Sequence, residues 1–210
     1  MGPFPDGVYR AQFPYYYRNP EGMPQEAALD YYLNSIKDVF EQCGPADSIA
    51  AIVVEPLQGE GGFIPAPIEW VKAVRKICDE NGILLVADEV QTGFCRTGRM
   101  FATQYWEEAG VQPDILATAK SIAAALKTIE IMERDDLAGC SCEIGEKVSK
   151  RFNEWKEKYP VIGDVRGLGG MIGLEFVKDQ KSKEPYPEFS AAVISGCAKK
   201  GLMIEGAGTR

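Results

Sequence analysis

Short apolar runs alternate along this chain with longer segments in which apolar residues recur every three or four positions. Residues 48–55 and 83–87 are short and rich in Ile, Val and Leu, which predicts buried β-strands. The segments after Pro24 and Pro67 have apolar residues at helical spacing, and proline is favoured where a helix begins. A strand, a helix and a second strand in this order predict a βαβ unit with parallel strands.

The rest of the chain continues this mixed pattern. Further helices are predicted at residues 101–109, 121–132, 141–158 and 189–200. Further strands are predicted at residues 114–117, 161–166, 171–177 and 202–205. A change of domain is predicted near residues 135–139, so an α/β domain at residues 1–135 is followed by a smaller domain at residues 136–210.

Charge and hydropathy argue against a nucleic-acid-binding or a membrane-spanning protein. The chain has 210 residues and a formal charge of −8. This acidic balance argues against a nucleic-acid partner, because such binding depends on clustered Lys and Arg. The longest apolar runs have the length of strands, so no membrane-spanning helix is expected. The chain opens without the pattern of a secretory signal, and we expect a cytoplasmic protein.

Histidine and cysteine usage sets further limits. The chain has no histidine, which excludes Ser-His-Asp and Cys-His catalysis. Its six cysteines form no Cys-x-x-Cys pairs, so no metal site is predicted and reduced thiols are expected. Acid–base chemistry at neutral pH therefore has to come from Lys, Asp, Glu, Tyr or Cys side chains.

An aspartate and a lysine follow two predicted strands. Asp88 comes directly after the strand at residues 83–87, and Lys120, 32 positions later, follows the short apolar segment at residues 114–117. Because parallel strands end at the same edge of a sheet, both side chains can reach one ligand there. Pyridoxal phosphate needs such a pair: a carboxylate keeps its pyridine nitrogen protonated and a lysine holds its aldehyde covalently.

Three longer motifs make this interpretation specific. They are IVVEPLQGEGGF at residues 52–63, DEVQTGFCRTG at residues 88–98 and VRGLGGMIGLE at residues 165–175. Together they resemble class III pyridoxal-phosphate-dependent aminotransferases, most closely the bacterial 4-aminobutyrate group. The resemblance implies part of a fold-type-I large domain, a mostly parallel sheet with flanking helices, and part of a small α+β domain. It also implies pyridoxal 5'-phosphate as cofactor and a homodimer as the assembly.

The implied reaction transfers an amino group from an ω-amino acid such as 4-aminobutyrate to a 2-oxo acid. In the resemblance, Asp88 contacts the pyridine nitrogen, Gln91 the phenolic oxygen of the ring, and Lys120 is the catalytic lysine. Glu60 handles a substrate carboxylate, and Glu55 faces the substrate amine. The alternatives to these substrate-binding roles are that Glu60 is a charged surface residue of a loop and that Glu55 is a charged residue at the end of a strand.

Several family segments have no counterpart in this sequence. They are the phosphate-binding segment, a Gly- and Pro-rich stretch after the lysine, and an arginine-bearing segment near the C-terminus. The second absence predicts a junction near residues 123–125, crossed by one continuous helix from about Thr118 to Met132. We therefore expect this chain alone to be inactive. The alternatives are a non-catalytic fragment, a partner of a complete homologue, or another class III transaminase such as an acetylornithine type.

Overall fold

The computed structural model describes residues 6–118 and 122–207. The chain divides into two compact units, and the path of the chain passes between them several times. The first unit consists of Met1–Val54, Ala66–Ala87 and Tyr105–Leu116. The second consists of Glu55–Pro65, Asp88–Gln104 and Ala117–Arg210.

The described residues form a mixed α/β structure. The helices are α1 (Gln25–Gln42), α2 (Ile68–Asn81), α3 (Gln104–Glu108), α4 (Ile122–Arg134), α5 (Leu137–Lys158) and α6 (Pro187–Lys199). The strands are β1 (Ala51–Val54), β2 (Leu57–Gln58), β3 (Ile64–Pro65), β4 (Leu84–Asp88), β5 (Ile115–Ala117), β6 (Ile162–Leu168) and β7 (Met171–Phe176). Within the described part of the chain, no helix combines the length and the apolar character needed to cross a bilayer.

The central sheet has the order β1-β4-β5. Strands β1 and β4 run parallel, in a register that pairs Ala51 with Leu84 and Val54 with Ala87. Helix α2 lies between them in the chain, so the predicted βαβ unit is confirmed. The loop that also separates them contains the short antiparallel β2–β3 pair, which the sequence did not predict.

One face of this sheet carries the core of the first unit. The buried residues of α1 are spaced four apart, as are three of those in α2, which places each set on one side of its helix. These residues are Ala28, Tyr32 and Ile36 in α1, and Trp70, Val74 and Cys78 in α2. Leu85 and Ala87 of β4 belong to the same apolar cluster. The apolar residues that recur at helical spacing in the sequence are therefore the ones that pack in the core.

The other face of the sheet is open among the described residues. Neighbouring residues of a strand point to opposite faces, and next to the buried Val54 and Leu85 lie Val53 and Leu84, which are 64% and 45% exposed. Parallel sheets are normally covered on both faces. The described part of the chain thus covers only one side of this one.

The hairpin β6–β7 organises the second unit. It is antiparallel, pairs Leu168 with Met171, and turns through Gly169, whose φ is +52°. A Cβ at Gly169 would come within 2.3 Å of the backbone of Thr97, and a Cβ on Gly145 of α5 would lie 2.3 Å from the carbonyl oxygen of Gly169. The two glycines therefore allow backbone segments to pack in direct contact.

The prediction of a strand at residues 202–205 is wrong. These residues are described and form no strand, and Met203 is 91% exposed. A strand exists only when its backbone groups pair with another strand. The segment is apolar, as a strand would be, but no strand of the described part of the chain pairs with it.

Helix α4 crosses the predicted junction. It covers Ile122–Arg134 and so includes residues 123–125 without a break. Thr118, near which the helix was predicted to begin, is described and is not helical. Residues 119–121, and with them Lys120, lie outside the described residues. The prediction of a helix across the junction is confirmed for the part that begins at Ile122.

A carboxylate ties β5 to β4 in the first unit. One oxygen of Asp114, Oδ2, accepts a hydrogen bond from the Arg75 guanidinium at 2.7 Å and another from the backbone N–H of Leu85, also at 2.7 Å. The Arg75 hydrogen bond and the Leu85 amide hold the pKa of the Asp114 carboxyl below its usual value. Its ionised form is therefore favoured by folding.

The lowered pKa predicts a contribution of Asp114 to acid sensitivity. A carboxyl whose pKa is lower in the folded chain stabilises above its unfolded pKa of about 3.9, and this stability is lost as the pH falls through the folded value. We expect the stability of Asp114→Asn to fall less than that of the wild type when the pH is lowered from 6 to 3. Urea unfolding at both pH values measures the difference, with Asp79→Asn, on the exposed side of Arg75, as control. An unchanged pH dependence in Asp114→Asn contradicts the assignment.

Candidate cofactor site

Asp88 is the last residue of β4 and stands at the carboxyl edge of the sheet. Its Oδ1 accepts the backbone N–H of Val90 at 3.0 Å, an aspartate-stabilised turn that redirects the chain after the strand. No hydrogen bond from the described residues reaches its Oδ2. Asp88 is partly buried, so this oxygen is suited to a cationic group of a ligand.

Glu89 holds the segment that follows Asp88. Its side chain is fully buried. One carboxylate oxygen accepts the hydroxyl of Thr92 at 2.5 Å, and the other accepts the backbone N–H of Thr103 at 2.7 Å. Its own N–H donates to Ala117 at the end of β5, at 2.9 Å. The carboxylate thus joins both ends of the segment 89–103.

Sequence reasoning missed Glu89, although a signal was present. The strand alternation that buries Leu85 and Ala87 also places residue 89 on the buried side. A charged residue at a buried position of this alternation needs hydrogen-bond partners within the protein, and Thr92 and Thr103 are those partners.

Gln91 lies against the loop between β2 and β3. A Cβ built on Gly59 of that loop would be 1.2 Å from Oε1 of Gln91, so the amide fills the space that any other side chain would take. Among the described residues, no hydrogen bond involves the Gln91 amide. Its donors and acceptor are therefore available to a ligand.

The two candidate substrate residues differ in their surroundings. Glu55 is partly buried, and its Oε2 accepts the backbone N–H of Gly59 at 2.9 Å. Glu60, the next residue of the loop, is exposed. Glu55 therefore shapes the loop, whereas the Glu60 carboxylate is open to solvent.

Arg166 of β6 fixes the far end of the same loop. Its Nε donates to the carbonyl oxygen of Gly62 at 2.7 Å. Its Nη1 donates to Glu175 at 2.9 Å and to Asp164 at 3.2 Å. The side chains of Arg166 and Glu175 are 13% and 8% exposed, so this ion pair is largely withdrawn from water. The sequence indicated no role for either residue.

The second unit thus brings together Asp88, Gln91, Glu55 and Glu60, while Lys120 lies outside the described residues. The profile of the family described as Aminotransferase class-III matches residues 1–124 and residues 121–210. The chain belongs to the class III aminotransferases. The two matches meet at residues 121–124, beside the junction predicted at residues 123–125.

Individual aminotransferases agree with this assignment. A probable 4-aminobutyrate aminotransferase from Bacillus subtilis is 36% identical over 243 positions, which cover 99% of this chain and 55% of the relative. A 5-aminovalerate aminotransferase from Pseudomonas putida is 37% identical over a region that covers 100% of this chain and 55% of the relative. The crystal structure of an amine transaminase from an uncultivated Pseudomonas species, in its PLP-bound form, superposes with a TM-score of 0.82 at 30% identity, covering 93% of this chain and 54% of that one.

The chain spans about half the length of the curated relatives that it matches. The alignment with the Bacillus subtilis protein occupies 243 positions against the 210 residues of this chain, so the relative contains residues without a counterpart here.

The cofactor of the class III aminotransferases is pyridoxal phosphate, and the described residues fit its ring. An aspartate oxygen without a described partner suits a protonated pyridine nitrogen, and an amide with unused donors suits the phenolic oxygen. Both groups belong to the turn directly after β4, which is the edge where α/β sheets bind ligands.

Proposed function

We propose that this chain carries the ring-binding part of a pyridoxal-phosphate site and that its enzyme transfers an amino group from an ω-amino acid, such as 4-aminobutyrate, to a 2-oxo acid. The observation that carries the proposal is the turn after β4, where Asp88 and Gln91 present unused polar atoms beside the loop of Glu60. The names of the relatives from Bacillus subtilis and Pseudomonas putida, a probable 4-aminobutyrate and a 5-aminovalerate aminotransferase, support an ω-amino acid as the amino donor.

The residues have distinct tasks in this proposal. Asp88 holds a proton on the pyridine nitrogen, and Gln91 orients the ring by donating to its phenolic oxygen. Lys120 would hold the aldehyde covalently and, once the substrate amine has replaced it there, would as a free amine move the proton of the substrate carbon. When bound, pyridoxal phosphate supplies an electron sink for that carbon. Glu60 contacts a substrate carboxyl group or its counter-charge, while Glu55 keeps the loop in place.

The larger setting of the site is part of the same proposal. Residues 1–135 contribute to a large cofactor-binding domain and residues 136–210 to a small one. The six cysteines are unpaired, which suits the reducing cytoplasm. The complete site is formed in a homodimer, and this chain by itself does not turn over substrate.

Covalent labelling of Lys120 tests the proposal. The chain is incubated with increasing pyridoxal phosphate and reduced with borohydride, and the modified lysines are mapped by mass spectrometry. We expect label at Lys120 to saturate, whereas label at surface lysines rises in proportion to concentration. Lys120→Ala should remove the saturable component.

Lys127→Ala is the matched control, because Lys127 is an exposed lysine paired with Glu130 at 2.8 Å. It should leave the saturable label unchanged. Uniform labelling of all lysines would contradict the proposal and would favour a non-catalytic chain, such as a partner of a complete homologue.

A further inference from the structure

We propose that Gly59 is a positioning residue for Gln91, so that the loop of Glu60 and the cofactor-side amide of Gln91 form one coupled unit. This inference rests on the proposed function, because it assigns the amide to the cofactor. It concerns a residue without a side chain, which acts by leaving the space that the Gln91 amide occupies.

The space over Gly59 is filled by the end of the Gln91 side chain. An added Cβ would lie 1.2 Å from Oε1, 2.3 Å from Cδ and 3.1 Å from Nε2 of Gln91. No backbone atom is among these three nearest neighbours. The backbone of Gly59 is not in the left-handed region, so alanine is conformationally allowed there. The obstacle to a side chain at position 59 is therefore the Gln91 amide.

The loop itself cannot easily move aside. Its Gly59 N–H is held by the Glu55 carboxylate at 2.9 Å, and its Gly59 carbonyl accepts the N–H of Gly62 at 3.0 Å. The Gly62 carbonyl is in turn held by Arg166 at 2.7 Å. Three hydrogen bonds fix the loop, whereas the Gln91 amide is the end of a flexible side chain. A methyl group at position 59 therefore displaces Gln91 and leaves the loop in place.

Gly61 provides a matched control within the same loop. A Cβ on Gly61 would lie 2.7 Å from Oε1 and 2.9 Å from Cδ of Gln58, also the end of a glutamine side chain. Its backbone is likewise outside the left-handed region. The substitutions Gly59→Ala and Gly61→Ala thus make the same chemical change and displace different glutamines.

The first test needs no cofactor. In ¹⁵N-labelled protein, the side-chain amide signals of Gln91 and Gln58 are assigned with Gln91→Ala and Gln58→Ala. We expect Gly59→Ala to shift the Gln91 signals and to leave the melting temperature near that of the wild type. Gly61→Ala should shift the Gln58 signals and leave those of Gln91 in place. Unmoved Gln91 signals in Gly59→Ala would overturn the inference, whether or not the chain binds pyridoxal phosphate.

The second test is a double-mutant cycle on the saturable labelling of Lys120 by pyridoxal phosphate. We expect Gly59→Ala to raise the half-saturating concentration about two- to tenfold, the effect of losing one hydrogen bond. In the Gln91→Ala background the same substitution should have no further effect. Fully additive effects would overturn the inference. Absence of saturable label in the wild type would instead contradict the proposed function, and the amide signals would still decide the role of Gly59.

Discussion

Replacing Glu89 with alanine should lower the free energy of unfolding by about 3–5 kcal/mol. The carboxylate is fully buried and accepts from Thr92 and from the backbone of Thr103. Alanine leaves both donors without a partner in a dry environment and opens a cavity as well. The segment 89–103 would lose the side chain that joins its two ends, so its amides should also exchange faster with solvent.

Glu89→Gln distinguishes the contribution of the side-chain shape to stability from that of its negative charge. Glutamine keeps the volume, can accept from Thr103 and can donate to the Thr92 hydroxyl, so its cost should be about 1–2 kcal/mol. Val90→Ala, at the exposed neighbouring position, serves as the surface control and should change stability by less than about 0.5 kcal/mol. Urea unfolding of the variants gives the values. A cost for Glu89→Ala no larger than that of Val90→Ala would contradict the assignment.

Arg166→Met should cost about 3–5 kcal/mol, because it removes the cation that pairs with the buried carboxylate of Glu175 and with Asp164. It also releases the carbonyl oxygen of Gly62, so the loop of Glu60 loses one of its anchors. The double variant Arg166→Met with Glu175→Gln removes both charges, and most of the lost stability should return.

Arg151→Met is the control for this second prediction. Arg151 and Glu154 form an exposed pair at 3.7 Å on α5, and such surface pairs contribute about 0–1 kcal/mol. Chemical denaturation of the wild type and these three variants provides the comparison. If the double variant is no more stable than Arg166→Met alone, the uncompensated Glu175 charge is not the cause of the loss.

Local patterns predicted the elements of this fold well. Apolar spacing after Pro67 predicted helix α2, and short runs rich in Ile, Val and Leu predicted strands β1 and β4, because these local patterns reflect the side of each element that is buried. The segment at residues 202–205 shows the limit of this reasoning, since an apolar run becomes a strand only if another strand pairs with it.

The roles of Asp88 and Gln91 could be predicted from the family resemblance, whereas the contacts that Arg166 and Gly59 make could not. Asp88 and Gln91 stand inside one motif. By contrast, the hydrogen bond from Arg166 to Gly62 joins residues 104 positions apart, and the contact between Gln91 and Gly59 depends on where two loops meet. No periodicity encodes such long-range contacts, because they are fixed only when the backbone segments are packed.

Helix α4 suggests how unevenly this fold would respond to insertions and deletions. Leu126 is 70% exposed, and most described side chains of the helix face solvent, so the segment has to satisfy little beyond helix propensity. A change of length there removes few packed contacts. The same change between Glu89 and Thr103 would separate a buried carboxylate from its donors. Changes in chain length are thus better tolerated in α4 from Leu126 onwards than in the segment that follows Asp88.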